Sequence, residues 1–242
     1  MKCIKVFLVE KKFYTSQNDL KLVDPELVRY ITNTIYPMYD KFDVGHNHRH
    51  LFDVIKYSLY LAKELKVDSN MCYTIAAYHD AGLSVNREHH HTESGKIISK
   101  DKKLKKWFDE REIMTMIDAV EDHRASSKRP PRTIYGKIVA DADRSNIKLE
   151  WLMERSIAFH LDRNKSKSDL FDEVYSIISR KYGEGGYAKF ILPQTKKMIA
   201  KDMRRNHTII ADIKQFKKIY QTVAKKVFNL GPGEIFKYEK KK

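Results

Sequence analysis

Between Asn47 and Lys66 the residues Leu51, Val54, Ile55, Ser58, Leu61, Ala62 and Leu65 recur at intervals of three and four. That spacing lays one apolar stripe along an α-helix and is incompatible with a strand, whose faces alternate with a period of two. The same signature returns along the chain. Asp24-Pro25-Glu26 opens a helix to about Asp40, with Asp24 as N-cap, proline at the first helical position, and Leu27, Ile31, Ile35 and Met38 on the buried side. Residues 70–80 form another apolar helix, and Gly82 is placed to end it. Helical patterns follow at about 92–100, 110–122, 133–149, 149–162 and 168–181, and 195–228 reads as one long helix or two.

Breakers separate these segments. Pro130-Pro131 closes a polar loop that begins at Ser126, and Gly183-Glu184-Gly185-Gly186 and Gly231-Pro232-Gly233 interrupt the pattern again. The first glycine group is too short and misplaced for a phosphate loop and reads as a turn. There is no internal repeat, no useful coiled-coil heptad and no Walker or dinucleotide fingerprint. The chain therefore reads as all-α. Its organisation is an N-terminal arm or short strand over 1–24, a single helical domain over 25–230, and a basic tail over 231–242.

With 242 residues, 42% hydrophobic and 33% charged, the chain can bury a continuous core and does not have the composition of a disordered protein. No apolar run is long enough to span a bilayer, and Lys5 and Glu10-Lys11-Lys12 break up the start where a signal peptide would need apolar residues. The two cysteines, Cys3 and Cys72, form neither a disulfide framework nor a thiolate metal knot, so a reducing, cytoplasmic setting is expected. A formal charge of +15 favours anionic partners. The lysines are spread along the chain as solvated helix faces, so a small anion fits better than a nucleic-acid platform.

The ten histidines are not spread in this way. Most fall at 46, 48 and 50, at 79, at 89, 90 and 91, and at 123. His50 lies on the apolar stripe, four residues before Val54, and points into the core. His79-Asp80 closes an apolar helix, where a buried carboxylate is costly unless it meets a cation. Imidazoles and carboxylates together suit a divalent ion such as Mn, Fe, Co, Ni, Zn or Mg and leave coordination positions open.

These residues resemble the motifs of the HD superfamily of metal-dependent phosphohydrolases: His50, then His79-Asp80 in Tyr78-His79-Asp80-Ala81-Gly82, then Asp141-Ala142-Asp143-Arg144. His91-Thr92-Glu93-Ser94-Gly95 is similar to a His-x-x-Ser-Ala element of one bacterial subgroup, and Glu121-Asp122-His123 also fits, so the likeness covers roughly residues 40–150. It implies an HD-type helical bundle with additional C-terminal helices, in which a metal-bound hydroxide attacks a phosphate ester or anhydride, with a nucleotide or similar small phosphorylated molecule as substrate. Carried over, His50, His79 and Asp80 are metal ligands. Asp141 and Asp143 point about 200° apart on a helix, so only one can join them. Periodicity does not choose between the two; the Ala-Asp-Arg match selects Asp143. His91 and His123 line the site and can hold a second ion, although the run His89-His90-His91 also permits an alignment that puts His90 there. Asp80 and Arg144 complete the catalytic set, Asp80 by helping to remove a proton and Arg144 by holding phosphate, with Arg49, Arg124 and Lys128 as further cations. His46 caps the helix or lines the entrance, while His48, His89, His160 and His207 read as surface residues. Two rival readings share the pattern: a di-iron oxygenase on the same helices, and a non-catalytic protein that binds nucleic acid.

Overall fold

The computed structural model describes residues 20–43, 45–127, 129–161 and 170–230, so most of the expected N-terminal arm, Lys128 and the basic tail lie outside the described residues. Among the described residues there are ten α-helices and no strand. They are α1 (Pro25–Thr34), α2 (His48–Leu65), α3 (Ser69–Tyr78), α4 (His90–Lys100), α5 (Glu110–Glu121), α6 (Ile134–Arg144), α7 (Leu149–Leu161), α8 (Leu170–Tyr182), α9 (Pro193–Ala211) and α10 (Ile213–Leu230).

Local chemistry sets the ends. The Asp24 carboxylate accepts the N–H groups of Glu26 and Leu27 at 2.7 and 3.1 Å, and Asn47 and Asp68 cap α2 and α3 in the same way. Asp109 and Glu112 form a reciprocal capping box at the start of α5. Two helices end earlier than the sequence reading has them, and the alternative left open at the C-terminus is decided. Helix α1 stops at Thr34 rather than near Asp40, because Pro37 carries no N–H and the chain continues as a 3-10 turn, Tyr36–Lys41. Helix α6 stops at Arg144 rather than 149, and α7 starts afresh at Leu149. The C-terminal stretch is two helices, split at Asp212, whose carboxylate caps the second by accepting the N–H groups of Lys214 and Gln215.

Two apolar cores result. Leu27, Ile31, Leu51, Ile55, Tyr73, Ala77, Met116, Val120 and Val139 fill the first, among α1 to α6. Met153, Ile157, Val174, Ile178, Phe216 and Val227 fill the second, among α7, α8 and α10. A third, smaller cluster packs Leu192, from the segment before α9, against Leu61, Ala62, Cys72 and Ile138 and makes a seam there. Polar bonds fix the same seam. The buried Asp141 carboxylate accepts the backbone N–H of Ile191 at 2.9 Å and of Leu192 at 2.8 Å, and the Asn206 amide donates to the Ile147 carbonyl at 2.6 Å. Arg49 lies 3.9 Å over the Trp151 ring and 3.6 Å from Glu154, which commits it to the seam. Among the described residues no helix is long and apolar enough to cross a membrane.

Candidate metal centre

Helix ends and helix faces bring six side chains together: His50 from α2, His79 and Asp80 from the end of α3, His90 from the first turn of α4, His123 just past α5, and Asp143 from α6. Asp80 is the hub. Its Oδ2 lies 3.1 Å from His79 Nε2 and 3.5 Å from His50 Nε2, while its Oδ1 lies 3.5 Å from His90 Nε2 and 3.7 Å from His123 Nε2. On the first side His50 Nε2 also stands 3.1 Å from Asp143 Oδ1 and 3.2 Å from His79 Nε2. On the second, His90 Nε2 and His123 Nε2 are 3.3 Å apart.

The tautomers follow from the backbone. His79, His90 and His123 each bring Nδ1 to a main-chain carbonyl, of Ala76 at 2.8 Å, Arg87 at 2.9 Å and Val120 at 2.6 Å. A carbonyl only accepts, so each Nδ1 carries a hydrogen and each Nε2 is left facing inward to take a proton or a metal ion. Facing lone pairs on His90 and His123, 3.3 Å apart, repel unless a cation, a proton or a metal ion, lies between them. Asp80 Oδ2, buried without a hydrogen-bond partner, makes the same demand. Donors about 2.1 Å from one ion stand about 3.0 Å apart at right angles and about 3.4 Å apart in a tetrahedron. Three of the separations on the first side, 3.1, 3.1 and 3.2 Å, fall in that range, and the fourth, 3.5 Å from His50 Nε2 to Asp80 Oδ2, lies just above it. The groups His50-His79-Asp80 and Asp80-His90-His123 could each hold a metal ion.

Electrostatics favour ionised carboxylates. Burial pushes the Asp80 carboxyl up, but the imidazoles of His79, His123 and His50 hold it well below the usual carboxylate range. Asp143 behaves alike, with His50 as its chief partner against burial. Burial pushes the His90 imidazole down to about 4, against the pull of Asp80. His79 runs the other way: burial lowers it, but the charge and hydrogen bond of Asp80, the charge of Asp143 and the Ala76 carbonyl together raise it.

The His79-Asp80 pair is pinned from behind. Ser94 Oγ, fully buried, donates to the His79 carbonyl at 2.8 Å and accepts the Gly82 N–H at 2.9 Å. Gly82 does not end α3, as the sequence suggested; it sits in a 3-10 turn, Ala81–Ser84, pressed on the start of α4. A Cβ there would lie 2.0 Å from the His90 carbonyl oxygen and 2.6 Å from the Ser94 nitrogen, both backbone. Only glycine lets the two segments approach so closely.

The structure brings His50, His79, Asp80, His123 and Asp143 to the cluster. His91 is not there. Helix α4 begins at His90, so its first residue faces Asp80 and the next, about 100° on, points elsewhere, with its Nδ1 buried and unpartnered. Asp141 serves the seam instead of the cluster. Arg144 lines a cavity under Pro130-Pro131 whose walls include none of the cluster side chains. His46 stands edge-on to His50, ring centroids 5.8 Å apart, and is held by Asp43 at 2.8 Å. His160 is buried rather than on the surface, bonded through Nδ1 to the Ser156 carbonyl at 2.7 Å. His48 meets Asp40, His89 is exposed, and His207 is half-buried.

Two cations from the C-terminal half, which carried no motif, act electrostatically on this end of the bundle. Arg155 of α7 packs against Gly45, where a Cβ would lie 3.4 Å from its Nε, and its charge bears on His46. Lys181 of α8 is raised by Tyr182 and, against burial, by Asp143. Only the tertiary fold makes them neighbours of the histidines.

The described residues thus form an all-helical bundle with a doubled histidine-aspartate cluster at its helix ends that could hold metal ions. Residues 47–146 match the family model for the HD domain, and the chain therefore contains an HD-superfamily domain. The match runs from the N-cap of α2 to just past α6 and includes all six cluster residues. No curated protein and no solved structure matches the chain.

Proposed function

We propose that the protein is a metal-dependent phosphohydrolase, cytoplasmic, acting on a nucleotide or another small phosphorylated molecule. The observation that carries this reading is Asp80, whose two oxygens face two separate sets of imidazole nitrogens within an HD domain. His50, His79, Asp80 and Asp143 would hold one divalent ion, and Asp80, His90 and His123 a second. Such ions supply Lewis acidity, lowering the pKa of water toward neutrality and offsetting charge on a phosphoryl oxygen.

The chain's own residues do the rest. Backbone carbonyls hold the imidazoles in one tautomer, so the donor set needs no rearrangement. Asp143, with a side chain 22% exposed, is the carboxylate on the open side, where water and substrate arrive. Asp143, the more exposed of the two carboxylates, would take the proton of the attacking water more readily than Asp80, which is 2% exposed. Lys181 and Arg155, whose charges act on Asp143 and His46, would hold non-reacting phosphate oxygens. Protein loaded with Mn, Co or Mg should hydrolyse some member of a panel of nucleoside mono-, di- and triphosphates, and Asp80→Asn should abolish that turnover. Inactivity on every phosphoester with metal demonstrably bound would refute the proposal.

The doubled cluster also supports a second reading, a di-iron oxygenase. Two irons per chain after anaerobic purification, with oxygen consumed on an organic substrate and no phosphate released, would select it.

A further inference from the structure

Arg124, Ala125 and Ser127, then Arg129, Pro130 and Pro131, line a cavity of about 370 Å³ together with one face of α6 and the segment between α8 and α9. Five cationic side chains line it: Arg124, Arg129, Lys137, Arg144 and Lys189. Lys137 and Arg144 are seven residues apart on α6 and so share one face. The one carboxylate in the wall, Asp122, is already engaged by Arg132, through its Nε at 3.0 Å and its backbone N–H at 2.7 Å. Among the described residues Arg129, Lys137, Arg144 and Lys189 make no ion pair, and Arg124 spends one N–H on the Glu88 carbonyl.

Arg144 is the telling member. It is 6% exposed, and its Nε is buried without a hydrogen-bond partner. A guanidinium kept in that state is costly unless an anion completes it, and its planar fork suits phosphate oxygens. Five cations exceed what one phosphate group, with at most about two negative charges, would neutralise. The Tyr187 ring, 52% exposed, adds an aromatic face to the same wall.

We infer that this cavity binds the diphosphate group of a small anion, at a site separate from the histidine-aspartate cluster. The chemistry is shared by inorganic pyrophosphate and by nucleoside diphosphates, and Tyr187 offers a stacking surface to the base of the latter. The inference does not depend on hydrolysis at the cluster.

The test is calorimetric titration of the full-length, chelator-treated protein with pyrophosphate, ADP and adenosine. The inference expects pyrophosphate and ADP to bind without metal and adenosine not to bind. Tighter binding of ADP than pyrophosphate, lost in Tyr187→Ala, would identify the nucleotide as occupant; equal affinity would identify the inorganic anion. Arg144→Gln should weaken binding about tenfold or more. Because Arg144 is buried, the Lys137→Gln/Lys189→Gln double variant is the companion, and it should also weaken binding about tenfold with an unchanged melting temperature. Asp80→Asn should bind as the wild type does. No binding without metal, full binding by the double variant, or loss of binding in Asp80→Asn would each overturn the inference. So would displacement of ADP by a single-stranded oligonucleotide at concentrations far below those of ADP.

Discussion

Replacing Ser94 by alanine removes one oxygen that joins two buried backbone groups, the His79 carbonyl and the Gly82 N–H, on either side of Asp80. The site has no exposure, so water cannot take the place of the hydroxyl. A buried polar group left without a partner costs about 1–3 kcal/mol, so two orphans together cost roughly 3 kcal/mol. For a chain of this size about 2–4 °C of melting temperature follows each kcal/mol, which predicts a fall of about 6–12 °C. The same hydroxyl fixes where the His79-Asp80 pair sits against the start of α4, and loss of such a supporting bond lowers metal affinity about tenfold or more. Thermal unfolding of metal-free protein by circular dichroism measures the first effect, and competition with a chelating dye measures the second. A melting temperature within about 2 °C of wild type, with unchanged metal affinity, would show that Ser94 does not organise the centre.

Four shorter predictions use other contacts. Gly82→Ala places a Cβ 2.0 Å from the His90 carbonyl oxygen, and backbone on both sides must move; we expect a loss of more than about 3 kcal/mol, measured by urea unfolding, and near-wild-type stability would refute the close approach. His90→Gln should weaken one of two bound ions by about 10-fold to 100-fold in a metal titration while His91→Gln leaves both in place, and the reverse order would restore the alignment through His91. Asp141→Asn weakens the bonds to Ile191 and Leu192 and should cost about 1–3 kcal/mol with metal affinity retained; loss of metal without loss of stability would make Asp141 a ligand. The folded-state value of His90 is depressed to about 4, below the roughly 6.5 of an unfolded imidazole, so the unfolded chain takes up that proton first and metal-free stability falls as pH drops from about 6.5 toward 4. His90→Gln should flatten that part of the unfolding profile, and an unchanged slope would refute the assignment.

Periodicity alone located the helices that carry the centre. The stripe from Leu51 to Leu65 makes α2, and His50 is buried because it lies on that stripe. What periodicity could not supply was phase. His89-His90-His91 offers three imidazoles in a row, and which of them faces Asp80 depends on where α4 begins, which the packing of Gly82 against its first turn sets. Asp141 and Asp143 posed the same difficulty, because the partners of Asp141 are backbone amides fifty and fifty-one residues further on. Arg144 reads as catalytic from its neighbour in sequence, yet α6 turns it onto the wall of another cavity. Arg155 and Lys181 reach the cluster only through the fold of α7 and α8, so no spacing in the chain announces them.

Asp80 would serve two metal positions, and a crystal of manganese- or iron-loaded protein measured at the metal's absorption edge tests this most directly. The account predicts anomalous peaks on both sides of Asp80, one among His50, His79 and Asp143 and the other between His90 and His123. Peaks confined to other residues, or none at this cluster in metal-replete protein, would contradict it.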